Sequence, residues 1–275
     1  FTDGIAALFA DYGINGVYLD GAAGPFWCTN ARHGCGYTAP DGSRRPTFPI
    51  FAVREQMRRI RAICDAAGRP TLIVAHMSAM ITLPTLSFAD QLLTGEQYWK
   101  APEDFRPPTE FFRIECMGHP HGIPTDFLGC TPLGGAWART MIGLHHAPSS
   151  WCPGGVEMWR LYRQFDVDAA TWWPYWGEVH PATADRPDVL VSGFGHVGRR
   201  ALLAVGSLAR SEVHAVVTLN AELTGLGADT RVRDAESGEP LEIEEGRVRV
   251  RLGPESLRWL LWEASAPAAE SRTGQ

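Results

Sequence analysis

No run of eighteen apolar residues occurs in this 275-residue sequence, so no helix able to cross a membrane is expected. Positive charge is also scarce. Lys and Arg number 25 against 31 Asp and Glu, a net charge of -6, and no basic stripe interrupts the pattern, which argues against a nucleic-acid partner. The six cysteines, at 28, 35, 64, 116, 130 and 152, include no CxxC pair and no regular framework. Neither a zinc ribbon nor a disulfide scaffold follows from them, although Cys28 and Cys35 could pair in an exported protein. Missing too are a GxGxxG after a strand, a GxxxxGK[ST], a GxSxG and an HExxH, so no nucleotide, serine-hydrolase or zincin signature is present and no cofactor is expected. Gly193-Phe194-Gly195-His196-Val197-Gly198 is glycine-rich, but its neighbours read as antiparallel strands and it is assigned to a turn. With 45% hydrophobic and 20% charged residues the chain is globular, and a small neutral or polar ligand is the default.

What the sequence has in excess is tryptophan. Eight of the ten, Trp27, Trp99, Trp137, Trp151, Trp159, Trp172, Trp173 and Trp176, fall in the first two thirds. Indole faces pack on the CH-rich faces of sugars and fill cores equally well.

Up to about residue 180 short apolar runs alternate with amphipathic stretches, the mark of α/β architecture with parallel strands. Residues 3–12 read as a helix, 16–20 as a buried strand, 50–67 as a strong helix and 71–76 as the next strand. Further strands are expected at 91–96, 123–129 and 170–175, with helices at 133–145 and 156–165. Five strands are too few for a whole (β/α)8 barrel and suit its C-terminal part. The opening Phe1-Thr2-Asp3-Gly4 runs straight into a helical pattern, so the chain reads as a piece of something longer and its compartment is not legible there. An open half-barrel edge predicts aggregation or inactivity of such a piece alone. From 188 to 264 strands follow one another without helices, and Arg247-Val248-Arg249-Val250-Arg251-Leu252 alternates strictly, which predicts a small antiparallel β-sandwich. Residues 265–275 are expected to be a disordered tail.

Gly16-Val17-Tyr18-Leu19-Asp20-Gly21 ends an apolar strand on a carboxylate, at the rim where barrel enzymes keep their chemistry. Gln91-Leu92-Leu93-Thr94-Gly95-Glu96 repeats the arrangement 76 residues on. Two βα repeats separate them, so both acids project from one rim. Asp20 alone could cap its turn, and Glu96 could be a solvated helix-start glutamate. Together they have the composition of a glycosidic site, in which one carboxylate attacks or stabilises the anomeric carbon and a protonated one serves the leaving oxygen. His76, at the end of the intervening strand, occupies the same rim position and Asp126 is a third rim acid, and both are read as substrate-binding groups, His76 toward a substrate hydroxyl.

The loop at 21–49 far exceeds an ordinary βα connection, and its Cys, Gly and aromatic content argues against disorder. Cys28, His33 and Cys35 could bind a metal, but no fourth ligand stands nearby. The loop's His33, Tyr37 and Arg45, with Trp27, Trp173 and Trp176, are read as sugar-binding groups. His119/His121 and His145/His146 are spaced for a metal and carry the alternative of a metal-dependent barrel hydrolase. A non-catalytic carbohydrate-binding barrel is the third reading.

On the segments 16–21, 33–37, 45–49 and 95–96, in that order ahead of a sandwich, the sequence resembles the (β/α)8-barrel glycoside hydrolases. It looks most like an uncharacterised branch near the family 123-type barrels, and its layout is similar to the α-galactosidase clan. The resemblance implies a glycosidase that retains configuration, acting on an α- or N-acetyl-hexosaminyl linkage. The acid after the fourth barrel strand, matching Asp20, would be the nucleophile, and that after the sixth, matching Glu96, the acid/base.

Overall fold

A computed structural model describes residues 1–77, 80–98, 101, 102, 104–129, 135–147, 149, 152, 154–227 and 229–265. The expected tail at 266–275, Trp99, Trp151 and Cys130 lie outside the described residues. The chain forms two compact units, Phe1–Pro132 and Leu133–Gln275.

The first unit is α/β. Four strands, Gly16–Leu19, Leu72–His76, Gln91–Thr94 and Thr125–Phe127, lie side by side in chain order and run parallel. Each crossover carries a helix, the long one being Ile50–Ala66. Its apolar positions recur at three- and four-residue spacing, so Met57, Ile60 and Cys64 share one buried face. Helix Thr2–Tyr12 adds Ile5 and Phe9 and ends at Gly13, whose φ of 63° suits a glycine C-cap. These side chains close over Leu19, Ile73, Ala75 and Leu92 to form the unit's core. At the start of the second strand the Asp90 carboxylate accepts the Ile73 N–H at 2.7 Å and meets Arg61 at 2.7 Å, which pins the strand's entry.

The second unit holds two antiparallel sheets. One has six strands, in the order Pro240–Leu241, Thr230–Asp234, Leu257–Ala264, Arg200–Ser207, Val189–His196, Thr171–Trp173. The other has four, in the order Ile243–Glu244, Arg247–Leu252, Val213–Leu219, Ala182–Ala184. Val217, Val248 and Val250 from the smaller sheet share one core with Leu203, Val205, Leu260 and Trp262 from the larger. The sandwich expected from 188 onward is therefore present, and Arg247–Leu252 alternates between exposed and buried as its sequence requires.

Three local expectations change. Thr171–Trp173, expected as the last parallel strand, pairs antiparallel with Val189–His196 and extends the sandwich sheet. Residues 193–196 continue that strand, and the turn is confined to 197–199. Helix Gly135–His145, expected among the barrel helices, packs on the six-stranded sheet, where the Thr140 hydroxyl donates to the Glu255 carbonyl at 2.8 Å. Helix Gly155–Phe165 joins it through Tyr162, whose ring meets Trp259 edge-on at 5.5 Å. A sheet covered on both faces needs continuous apolar strands, which explains why positions 201–207 are all buried.

Glycine makes the close packing here. A Cβ at Gly195 would lie 2.0 Å from the Trp173 ring. Gly195→Ala is expected to cost about 1–3 kcal/mol through overpacking, read as a lower denaturant midpoint at unchanged slope. An unchanged midpoint would mean that Trp173 has room to move. Among the described residues no helix is long and apolar enough to cross a membrane.

Candidate active site

Parallel register brings the rim residues together. Leu19 pairs with Ala75, and Ala75 with Leu92. The residues that follow, Asp20 and His76, thus leave adjacent strands side by side, about 4.8 Å apart in the sheet direction. Glu96 stands just beyond the third strand, at the start of a 3-10 turn over Glu96–Tyr98.

His76 is the centre of the cluster. Its Nδ1 lies 3.2 Å from Asp20 Oδ1, and its Nε2 lies 3.4 Å from Glu96 Oε2. The imidazole side chain is only 2% exposed, while those of Asp20 and Glu96 are 64% and 43% exposed. A buried ring thus holds two carboxylates that both reach solvent. A neutral imidazole has one donor nitrogen and one acceptor nitrogen, whereas its cation donates from both. The approach of Nε2 to Glu96 is at ion-pair distance without the geometry of a hydrogen bond.

Two further groups, which the sequence reading missed, complete the environment. Tyr18 faces the His76 ring edge-on at 6.0 Å. Its phenol is raised above the ordinary tyrosine value by burial first, then by the charges of Asp20 and Glu96. Strand alternation could have flagged it, since Tyr18 and Asp20 are two residues apart on one face. The side-chain oxygen of Gln97 accepts the Gly95 N–H at 2.7 Å and the Thr94 hydroxyl at 3.1 Å, which fixes the turn that presents Glu96. No residue pattern announced that contact. Gly95 itself has φ of 119°, and a Cβ there would lie 2.6 Å from the Leu128 carbonyl oxygen, so the close approach requires glycine.

Asp126 lies one strand further along and is buried. Gln91 donates to its carboxylate at 3.3 Å, and Asp126 is paired in register with Leu93. In the long loop Trp27 and Tyr37 are exposed, and Arg45 meets Asp41 at 3.3 Å in a solvent-exposed pair. His33 lies between two thiols, 3.3 Å from Cys35 Sγ and 3.9 Å from Cys28 Sγ. The remaining two aromatic positions belong to the second unit. Trp173 is buried against Gly195. Trp176 stacks on His145 at 5.2 Å.

The histidine pairs do not assemble a metal centre. His145 is engaged through Nδ1 by the Met141 carbonyl at 2.7 Å and through Nε2 by the Tyr175 hydroxyl at 3.0 Å. Among the described residues neither His119/His121 nor His145/His146 belongs to a set of three candidate ligands. What the first unit does offer is a pair of carboxylates with an imidazole between them, a composition suited to general acid and base work or to nucleophilic attack by one carboxylate.

Comparison with known proteins follows the same division. Residues 155–238 match the family model for the C-terminal domain of glycoside hydrolase 123. That stretch lies within the second unit and does not include Asp20, His76 or Glu96. No curated protein matches the chain. Among solved structures, the wild-type GH27 β-L-arabinopyranosidase of Geobacillus stearothermophilus aligns with a TM-score of 0.51 at 14% identity, covering 98% of this chain and 62% of that one. A candidate α-galactosidase/melibiase of Bacteroides fragilis aligns with a TM-score of 0.51 at 12% identity, covering 93% of this chain and 56% of that one. At these identities the likeness is one of fold. The chain spans about three fifths of the length of these structures. The resemblance read from the sequence thus recurs in two forms, a family 123 domain match in the second unit and a likeness of fold to these solved structures.

Proposed function

We propose that the protein is a glycoside hydrolase whose chemistry is carried by Asp20 and Glu96, with the parallel sheet of the first unit forming part of a (β/α)8 barrel. The observation that carries this reading is the His76 bridge, which holds two exposed carboxylates at one sheet rim. The domain match over 155–238 and the fold likeness support the class.

Asp20 is ionised and receives the His76 Nδ1–H. It attacks the anomeric carbon or stabilises its developing charge. Glu96 acts as the acid and delivers its proton to the glycosidic oxygen as the bond breaks. In the second step Glu96, now ionised, takes a proton from water that attacks the same carbon and breaks its bond to Asp20, whose carboxylate departs, so configuration is retained. His76 touches neither reacting atom and acts by positioning both acids. The substrate is an α- or N-acetyl-hexosaminyl glycoside, with Arg45, Asp126, Trp27 and Tyr37 of the first unit as the proposed sugar-binding set.

The test is hydrolysis of activated aryl glycosides by the full-length protein and by its Asp20→Asn and Glu96→Gln variants, with the anomeric form of the first product read by NMR. Turnover that survives both substitutions would overturn the assignment. Gly95→Ala probes the geometry separately. The methyl group must displace Leu128 or the turn, and a shift of about 1 Å in a catalytic group costs about 10²-fold. A kcat loss of that order is expected with KM little changed, and an unaltered kcat would mean that Glu96 does not depend on this turn.

A further inference from the structure

The long loop behind Asp20 contains a second cluster that hydrolysis does not use. Cys28, His33 and Cys35 each place one ligand atom within 4.8 Å of the other two. Cys28 Sγ lies 3.9 Å from His33 Nε2 and Cys35 Sγ lies 3.3 Å from His33 Nδ1, so the ring stands between the two sulfurs and can offer either nitrogen to an ion beside them. Zinc–sulfur bonds of about 2.3 Å and zinc–nitrogen bonds of about 2.0 Å put neighbouring donors about 3.5–3.8 Å apart.

The loop is built to hold these residues. Cys28 pairs with Thr47 through backbone bonds of 2.9 and 3.0 Å, and the Gly36 N–H donates to the Thr47 hydroxyl at 2.8 Å. Between those anchors Asn30 organises the chain. Its side chain accepts the Arg32 N–H at 3.0 Å and opens the 3-10 turn Ala31–His33. Its carbonyl accepts the Cys35 N–H at 3.1 Å. Its own N–H donates to Cys28 Sγ at 3.4 Å. Gly34, with φ of 76°, lets the chain turn between His33 and Cys35. Arg44 donates to the Cys35 carbonyl from the facing strand.

We propose that Cys28, Cys35 and one ring nitrogen of His33 bind a single thiophilic divalent cation, zinc in kind, with the fourth position left to water. Two sulfurs and an imidazole without a carboxylate select such an ion over magnesium or calcium. Three protein ligands leave one tetrahedral position open, and His33 is exposed, so solvent reaches it. Binding releases the two thiol protons and leaves the imidazole neutral. The ion would tie together the two sides of the loop that begins at Asp20.

The experiment takes the chain under a non-thiol reductant, stripped with chelator and then titrated with Zn(II) or Co(II). One zinc per chain after gel filtration is expected, with the thiolate-to-cobalt charge-transfer band and visible bands of a tetrahedral cobalt site. His33→Ala changes only an exposed side chain, and it should weaken cobalt binding by at least about 100-fold, beyond what loss of an outer-shell partner costs. Cys35→Ser should abolish most of the charge-transfer intensity. Less than a tenth of an equivalent of zinc on fully reduced chain would overturn the site, as would a cobalt spectrum unchanged by either variant. This readout is independent of hydrolysis, so the two proposals fail separately.

Discussion

Asp20→Asn is expected to lower kcat for aryl glycoside hydrolysis by about 10³-fold or more while leaving the fold intact. Losses of this size follow when a group acting directly on the reacting carbon is removed, and they correspond to about 4 kcal/mol of lost transition-state stabilisation. The side chain is 64% exposed and belongs to no buried core, so the substitution should not move the unfolding midpoint. The amide keeps the shape of the carboxylate but neither attacks carbon nor carries the charge that receives the His76 Nδ1–H. Because retention requires that this carboxylate form the glycosyl bond, an added small anion such as azide should restore turnover and yield a product of inverted configuration. Full activity in Asp20→Asn, or rescue with retained configuration, would show that another group attacks.

How much of this was legible beforehand depended on whether local pattern or distant packing decides. The strand ends at Asp20, His76 and Glu96 were legible because short apolar runs stop abruptly on polar residues followed by turn signals. Parallel register then does the rest, since two strands paired at Leu19 and Ala75 must release their next residues together. Thr171–Trp173 was not legible as a sandwich strand. A run of Thr and Trp fits a parallel or antiparallel strand alike, and only its pairing with 193–195 distinguishes them. The same holds for Gly135–His145, where an apolar helix suits any sheet that lacks a cover. Cys28, His33 and Cys35 were legible as three ligand types in one loop, but not their convergence, which the turn over Ala31–His33 brings about. Gln97 left no sequence trace at all, since a side-chain bond back to the Gly95 N–H depends on a glycine in a conformation other residues avoid.

Glu96→Gln separates proton delivery from attack, and its effect should depend on the leaving group. An alkyl or sugar leaving group departs as a poor anion and needs the proton, so kcat should fall by about 10²- to 10⁴-fold. A dinitrophenolate departs without help, and bond cleavage with such a substrate should survive almost unchanged. Hydrolysis of the resulting glycosyl-enzyme still needs a base, so a burst of released phenol followed by a slow steady state is expected. Removing Asp20 gives no such pattern, because attack is required whatever departs. If Glu96→Gln slowed good and poor leaving groups by the same factor, its role would be to position rather than to donate, and the acid would have to be sought elsewhere at the same rim, Asp126 first.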